Sequence, residues 1–95
     1  MTDLAPGAVI DNRTLGRFER VENGLLAFAD YHRRGEVLVI PHVEADPALR
    51  GTGAAGRLME GVAARLRETG LKAAPTCSYA QAWFRRHPEQ ADLLV

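Results

Sequence analysis

Four residues in this chain carry side chains whose neighbours could tune them for chemistry: His42, Glu44, Cys77 and Tyr79. His42 and Glu44 stand two apart. On a regular strand such a pair shares a face, where either can take a proton from an incoming nucleophile. Cys77 precedes Ser78-Tyr79-Ala80-Gln81, which reads as a capping box with Ser at N-cap and Gln at N3. Helix amides beside a thiol favour its thiolate, and a thiolate accepts acyl groups. Tyr79 follows, with a hydroxyl able to return a proton to a leaving group. Each residue also has a plain structural use. Cys77 can be a small buried hydrophobe, His42 a core or rim histidine, and Glu44 a solvated turn residue. Tyr79 can pack beside Trp83, four residues on along one helix face.

A second feature could hold a ligand. Arg50-Gly51-Thr52-Gly53-Ala54-Ala55 is glycine-rich and leads into a helical pattern. Backbone N–H groups at a helix start point outward unpaired, and the helix dipole adds positive charge there. An anion such as a phosphate satisfies both, and glycines let the backbone approach it closely. The stretch lacks the Gly-Lys-Ser/Thr ending of a P-loop and the third glycine of a dinucleotide fingerprint. Spacing alone leaves two readings, an anion cradle or a tight strand-to-helix turn.

The elements that would position these groups follow from periodicity. Gly16 to Val21 alternates like a strand, and Glu22-Asn23-Gly24 then supplies the Asn-Gly of a hairpin. Leu25 to Tyr31 is the returning strand, and Arg33-Arg34-Gly35 the next turn. Glu36 to Val43 is nearly continuous apolar sequence, as expected of a central strand, with Pro41 marking a strand end or bulge. Ala55, Leu58, Met59, Val62, Ala63 and Leu66 recur at helical spacing up to a Gly70 stop. Leu71 to Ala74 suits a short parallel strand, and a second helix from Ser78 stops at Pro88. The expected fold is α+β: an antiparallel β-meander followed by helix, strand and helix. Residues 1–12 read as a loosely ordered lead-in to a single domain spanning 1–95.

Composition narrows the partners. The chain has 95 residues, 46% hydrophobic and 25% charged, with 12 basic and 12 acidic side chains and net charge zero. That balance is unlike a protein that neutralises many phosphates, so no nucleic-acid partner is expected. The single cysteine excludes an intrachain disulfide and fits a reducing compartment. With no signal peptide and no membrane span, the expectation is a cytoplasmic protein, a monomer or weak dimer. His32, His42, His87 and Cys77 are scattered, so no metal site is expected.

The stretch His42-Val43-Glu44-Ala45-Asp46-Pro47-Ala48-Leu49-Arg50-Gly51-Thr52-Gly53-Ala54-Ala55 resembles the acetyl-CoA motif of the GNAT superfamily of N-acetyltransferases. With Pro75-Thr76-Cys77-Ser78-Tyr79 and Arg86-His87-Pro88-Glu89, the chain is similar to small single-domain GNAT-like proteins of the YjdJ type, from about Gly16 onward. The resemblance implies a compact GNAT-like fold whose central strand splays at the cofactor site. It implies acetyl-CoA as acetyl donor, with amides of Arg50, Gly51, Thr52, Gly53, Ala54 and Ala55 on the pyrophosphate. Val43 and Ala45 would hydrogen-bond the pantetheine arm. The acceptor would be an amine the sequence does not name, acetylated directly or through Cys77, with His42 or Glu44 as base and Tyr79 as acid. A reduced fold that only binds acyl-CoA is the alternative. Arg57, Arg85 and Arg86 are further candidates for reaching phosphates. The superfamily places a Gln or Arg where this chain has Ala48, and its first helices and last strands are missing here.

Overall fold

The computed structural model describes residues 8–95, so the first seven residues of the expected lead-in lie outside it. Ile10–Asn12, also read as lead-in, form a short strand, β1. It pairs antiparallel with β2 (Arg17–Glu22), which pairs with β3 (Leu25–Arg34). The β2–β3 hairpin turns on Asn23 and Gly24, both at positive φ (53° and 75°). That is the reason Asn-Gly occupies the turn. β4 (Val37–Ala45) pairs antiparallel with β3, and β5 (Lys72–Pro75) lies parallel to β4. The sheet order is β1-β2-β3-β4-β5.

Helix α1 (Ala54–Thr69) is the crossover between β4 and β5. Leu58, Met59, Val62, Ala63 and Leu66 form its buried stripe against the sheet face that carries Phe18, Ala27, Ala29 and Leu38. The helix stops at Gly70, left-handed at φ 73°, as the sequence requires. Helix α2 (Ser78–Arg86) buries Ala80, Trp83 and Phe84 in the same core. Its cap differs from expectation. Cys77, not Ser78, is the N-cap, and Gln81 turns its side-chain amide to the Pro75 carbonyl (3.2 Å) instead of closing a capping box. The carbonyl exposed by the end of β5 outcompetes the cap. Neither helix is long and apolar enough to cross a membrane. After a 3₁₀ segment, Pro88–Leu93, the tail makes a bridge from Leu94 to Ala73.

The β3–β4 register shifts by one residue between Asp30/His42 and His32/Val39, so β4 carries a bulge at Ile40–Pro41. The bulge reverses the alternation of β4. Leu38 and Ile40 are buried toward α1, and so are the partners of Val43 and Ala45, namely Ala29 and Ala27. His42 and Glu44 turn to the opposite face, beside Phe28.

Candidate acyl-donor site

The pairing of β4 with β5 ends at Ile40 and Pro75, although β4 itself runs on to Ala45. Two features produce the break. Pro41 has no N–H to offer a neighbour. Beyond Pro75, the amides of Thr76 and Cys77 both fold back onto the Ile40 carbonyl (3.0 and 3.2 Å), which swings the chain away into α2. Past that point β4 has a partner on one side only. Its backbone direction follows from register. Asp46 N–H donates to the Leu26 carbonyl (2.9 Å), so Phe28–Glu44 and Asp30–His42 are the hydrogen-bonded pairs with β3. Val43 and Ala45, in the alternate pairs, therefore direct their N–H and C=O groups away from β3 into the gap.

The glycine-rich turn closes the other side of this gap. Pro47–Leu49 form a 3₁₀ turn capped by the Asp46 carboxylate, which accepts from Ala48 N–H (2.9 Å). Gly51 and Gly53 both sit at positive φ (77° and 85°), and Gly53 is the N-cap of α1. A side chain at Gly51 would meet only open space, so that backbone faces outward. Thr52 Oγ1 accepts from Ala54 N–H (3.3 Å) and donates to the Leu49 carbonyl (2.6 Å). Among the described residues, the amides of Gly51, Gly53, Ala55 and Gly56 meet no acceptor. These are the unpaired donors of a helix start, gathered at its positive end.

Between turn and strand lies a cavity of about 260 Å³, bounded by Ala45, Leu49, the turn itself and Tyr79. The Tyr79 hydroxyl lies over the first turn of α1, 4.0 Å from where a Cβ on Gly56 would stand. Burial pushes its pKa up, against the opposing charge of Arg86, so it stays a neutral donor. A phosphate-bearing ligand with an extended, amide-containing arm fits these walls: free amides for the anion, an unpaired strand edge for the arm, and small residues between.

The structure brings together Ala45, the 50–55 turn and Tyr79, with Val43 two residues back along the same strand edge and Cys77 at the pivot where β5 turns into α2. His42 and Glu44 lie on the other face of the sheet, paired with each other (Nε2···Oε1 2.9 Å) and both more than half exposed. Arg57 does not extend toward the cavity. It grips Glu22 and the Thr52 carbonyl, a contact that nothing in the sequence signalled. Arg85 borders a separate groove with Pro75 and Phe84. His87 caps α2, its Nδ1 2.8 Å from the Trp83 carbonyl and its ring stacked on the indole.

A family model described as GCN5-related N-acetyl-transferase matches residues 17–93. No curated protein matches the sequence. Among solved structures, the solution structure of a GCN5-like candidate N-acetyltransferase from Staphylococcus aureus shares the fold. The two are 21% identical, with a TM-score of 0.68 over 97% of this chain and 91% of that one. The family match spans β2 to the 3₁₀ segment after α2, and so contains the split between β4 and β5 and the glycine turn. The chain belongs to the GCN5-related N-acetyltransferase family.

Proposed function

We propose that this domain, residues 1–95, takes the acetyl group of acetyl-CoA and passes it to an amine. The observation that carries the reading is the meeting of two sets of unpaired backbone groups in one cavity. The amides of Gly51, Gly53, Ala55 and Gly56 suit a pyrophosphate, and the edge of Val43 and Ala45 suits a pantetheine arm. Acetyl-CoA supplies the acyl group as a thioester. The amine nitrogen bonds to the acetyl carbon, the carbon–sulfur bond breaks, and the proton leaves the nitrogen. In this reading Glu44, hydrogen-bonded to His42, takes that proton from the open sheet face. Tyr79, held neutral by burial, then protonates the departing sulfur. In this reading donor and acceptor approach from opposite sides of the sheet and meet at the gap where β4–β5 pairing ends. Cys77, at the pivot of that gap, can first take the acetyl on sulfur and then yield it to the amine. We place the enzyme in the cytoplasm, as a monomer or weak dimer.

Calorimetry with coenzyme A tests the cradle, and thiol release from acetyl-CoA across a panel of amines tests the transfer. Binding with turnover supports the enzyme. Binding without turnover on any amine supports a module that only holds acyl-CoA. No binding at high micromolar concentration removes both.

A further inference from the structure

The far end of α1 borders a second cavity, away from the glycine turn. It measures about 390 Å³, more than the cavity beside the glycine turn and within the range of small-molecule sites, about 300–1,000 Å³. From Gly56 to Leu66 the helix rises about 15 Å, so the two cavities are separate. The inner wall is apolar and partly aromatic. Phe18 and Tyr31 pack ring against ring (centroids 4.8 Å apart, 34° between planes), and Leu38 and Leu66 complete it.

The rim is cationic. Arg13, Arg33 and Arg65 border the cavity against one carboxylate, Asp11, in a chain whose net charge is zero. Each guanidinium keeps donors in reserve. Arg13 touches only Asp11, at 3.4 Å, and its side chain is 88% exposed. Arg33 spends its Nε on the Gly35 carbonyl, and Arg65 one Nη on the Val9 carbonyl, with the Glu68 carboxylate 3.9 Å from its Nε. The acceptors at the rim already hold hydrogen bonds, and its one lining carboxylate is outnumbered by three guanidinium groups. Asp11 accepts from the Tyr31 hydroxyl (2.5 Å). At the end of α1, the Arg65 carbonyl accepts from Thr69 Oγ1, and the Leu66 carbonyl from the amides of Gly70 and Leu71.

The geometry points to a binding site for a small aryl carboxylate, its ring against Tyr31 and Leu71, the apolar wall residues that keep accessible surface, and its carboxylate among the three arginines. Planar, forked guanidinium groups suit a carboxylate, and the aromatic wall suits a flat ring. The site does not depend on the donor site being used.

The test is a titration of the ¹⁵N-labelled full chain, followed by amide shifts, with 2-naphthylacetate and with neutral 2-naphthylacetamide. The expected result is saturable shifts at Phe18, Tyr31 and Leu71, unchanged by excess coenzyme A. Binding is expected to be about tenfold weaker for the neutral amide and for the Arg13→Ala/Arg33→Ala chain, as loss of charge-assisted hydrogen bonds implies. Both arginines are exposed, so their removal leaves the fold intact. Equal affinity for acid and amide, an unaffected double variant, or shifts confined to residues 50–56 would each overturn the proposal.

Discussion

Arg57, in the first turn of α1, holds Glu22 at the end of β2 through two hydrogen bonds, Nη2 to Oε1 at 2.7 Å and Nε to Oε2 at 2.8 Å. The same Nη2 donates to the Thr52 carbonyl at 3.0 Å. One side chain therefore fastens the glycine turn to the β2–β3 hairpin. Arg20 reaches Glu22 from the other side (2.6 Å), so the carboxylate sits between two guanidinium groups. The turn's two left-handed glycines make it soft, and this clasp limits what it can explore.

Loosening the clasp should weaken the donor site. Glu22→Gln keeps the shape and removes the charge, and coenzyme A affinity should fall about three- to tenfold, the worth of a charge-assisted hydrogen bond acting at one remove. Calorimetry reads it. An unchanged affinity would mean that the turn holds its shape unaided.

The same pair sets a pH dependence. Hydrogen bonds from Arg57 and then Arg20 hold the Glu22 carboxyl at about 2, against an ordinary 4.5. Folding lowers this pKa, so the contact's stabilisation is complete above about 4.5 and drains away as pH falls through about 2. Melting temperatures of the wild type and of Glu22→Gln should differ by a constant amount near neutrality and converge between those values. A gap undiminished at pH 2 contradicts this.

Gly53→Ala should destabilise the turn. Its φ of 85° costs a side chain about 1–2 kcal/mol, and the new Cβ would stand 3.0 Å from Arg57 Nη1. In a domain of this size that is a drop of roughly 4–16 °C in Tm. Gly51→Ala, with φ 77° but open space around it, should lose less stability. Differential scanning calorimetry of both checks the order.

Activity should divide between the two polar groups at the start of α2. Tyr79→Phe removes the proposed proton donor and leaves the cavity wall, so kcat should fall about 10²-fold with little change in KM. Cys77→Ser should abolish any acetylated-protein intermediate seen by mass spectrometry after brief mixing with acetyl-CoA. If full turnover remains in Cys77→Ser, transfer is direct.

Gly61 marks where the first described residues seat on α1. A Cβ there would lie 2.1 Å from Val9 Cγ2, so Gly61→Ala should cost about 1–3 kcal/mol through overpacking. Val9→Ala should relieve it, and the coupling in a double-mutant cycle measures the contact. Additive effects would separate the two residues.

The features legible in the sequence were those fixed locally. Asn23-Gly24 and Gly70 mark positions that need positive φ, and the structure uses them so. The stripe from Leu58 to Leu66 buries as its spacing implies. What sequence did not reveal depends on distant partners. Three residues, Ile10–Asn12, carry too little pattern to read as a strand and become one by pairing with β2. Arg57 and Glu22 are 35 residues apart, and nothing local links them. Pro41 signalled a bulge or strand end, but not its effect on facing. Regular alternation from Leu38 and Ile40 would send His42 under the helices, and the inserted residue sends it to the open face.

The gap that Pro41 opens also bears on strand-to-strand association. An unpaired strand edge invites a strand from another chain, the usual first step toward sheet-to-sheet aggregation. Here the exposed ladder comprises only the backbone of Val43 and Ala45, with a proline at one end and the 3₁₀ turn at Pro47 at the other. That is too short to template a neighbour. A length of edge that suits a small ligand offers a second strand only two residues to pair with.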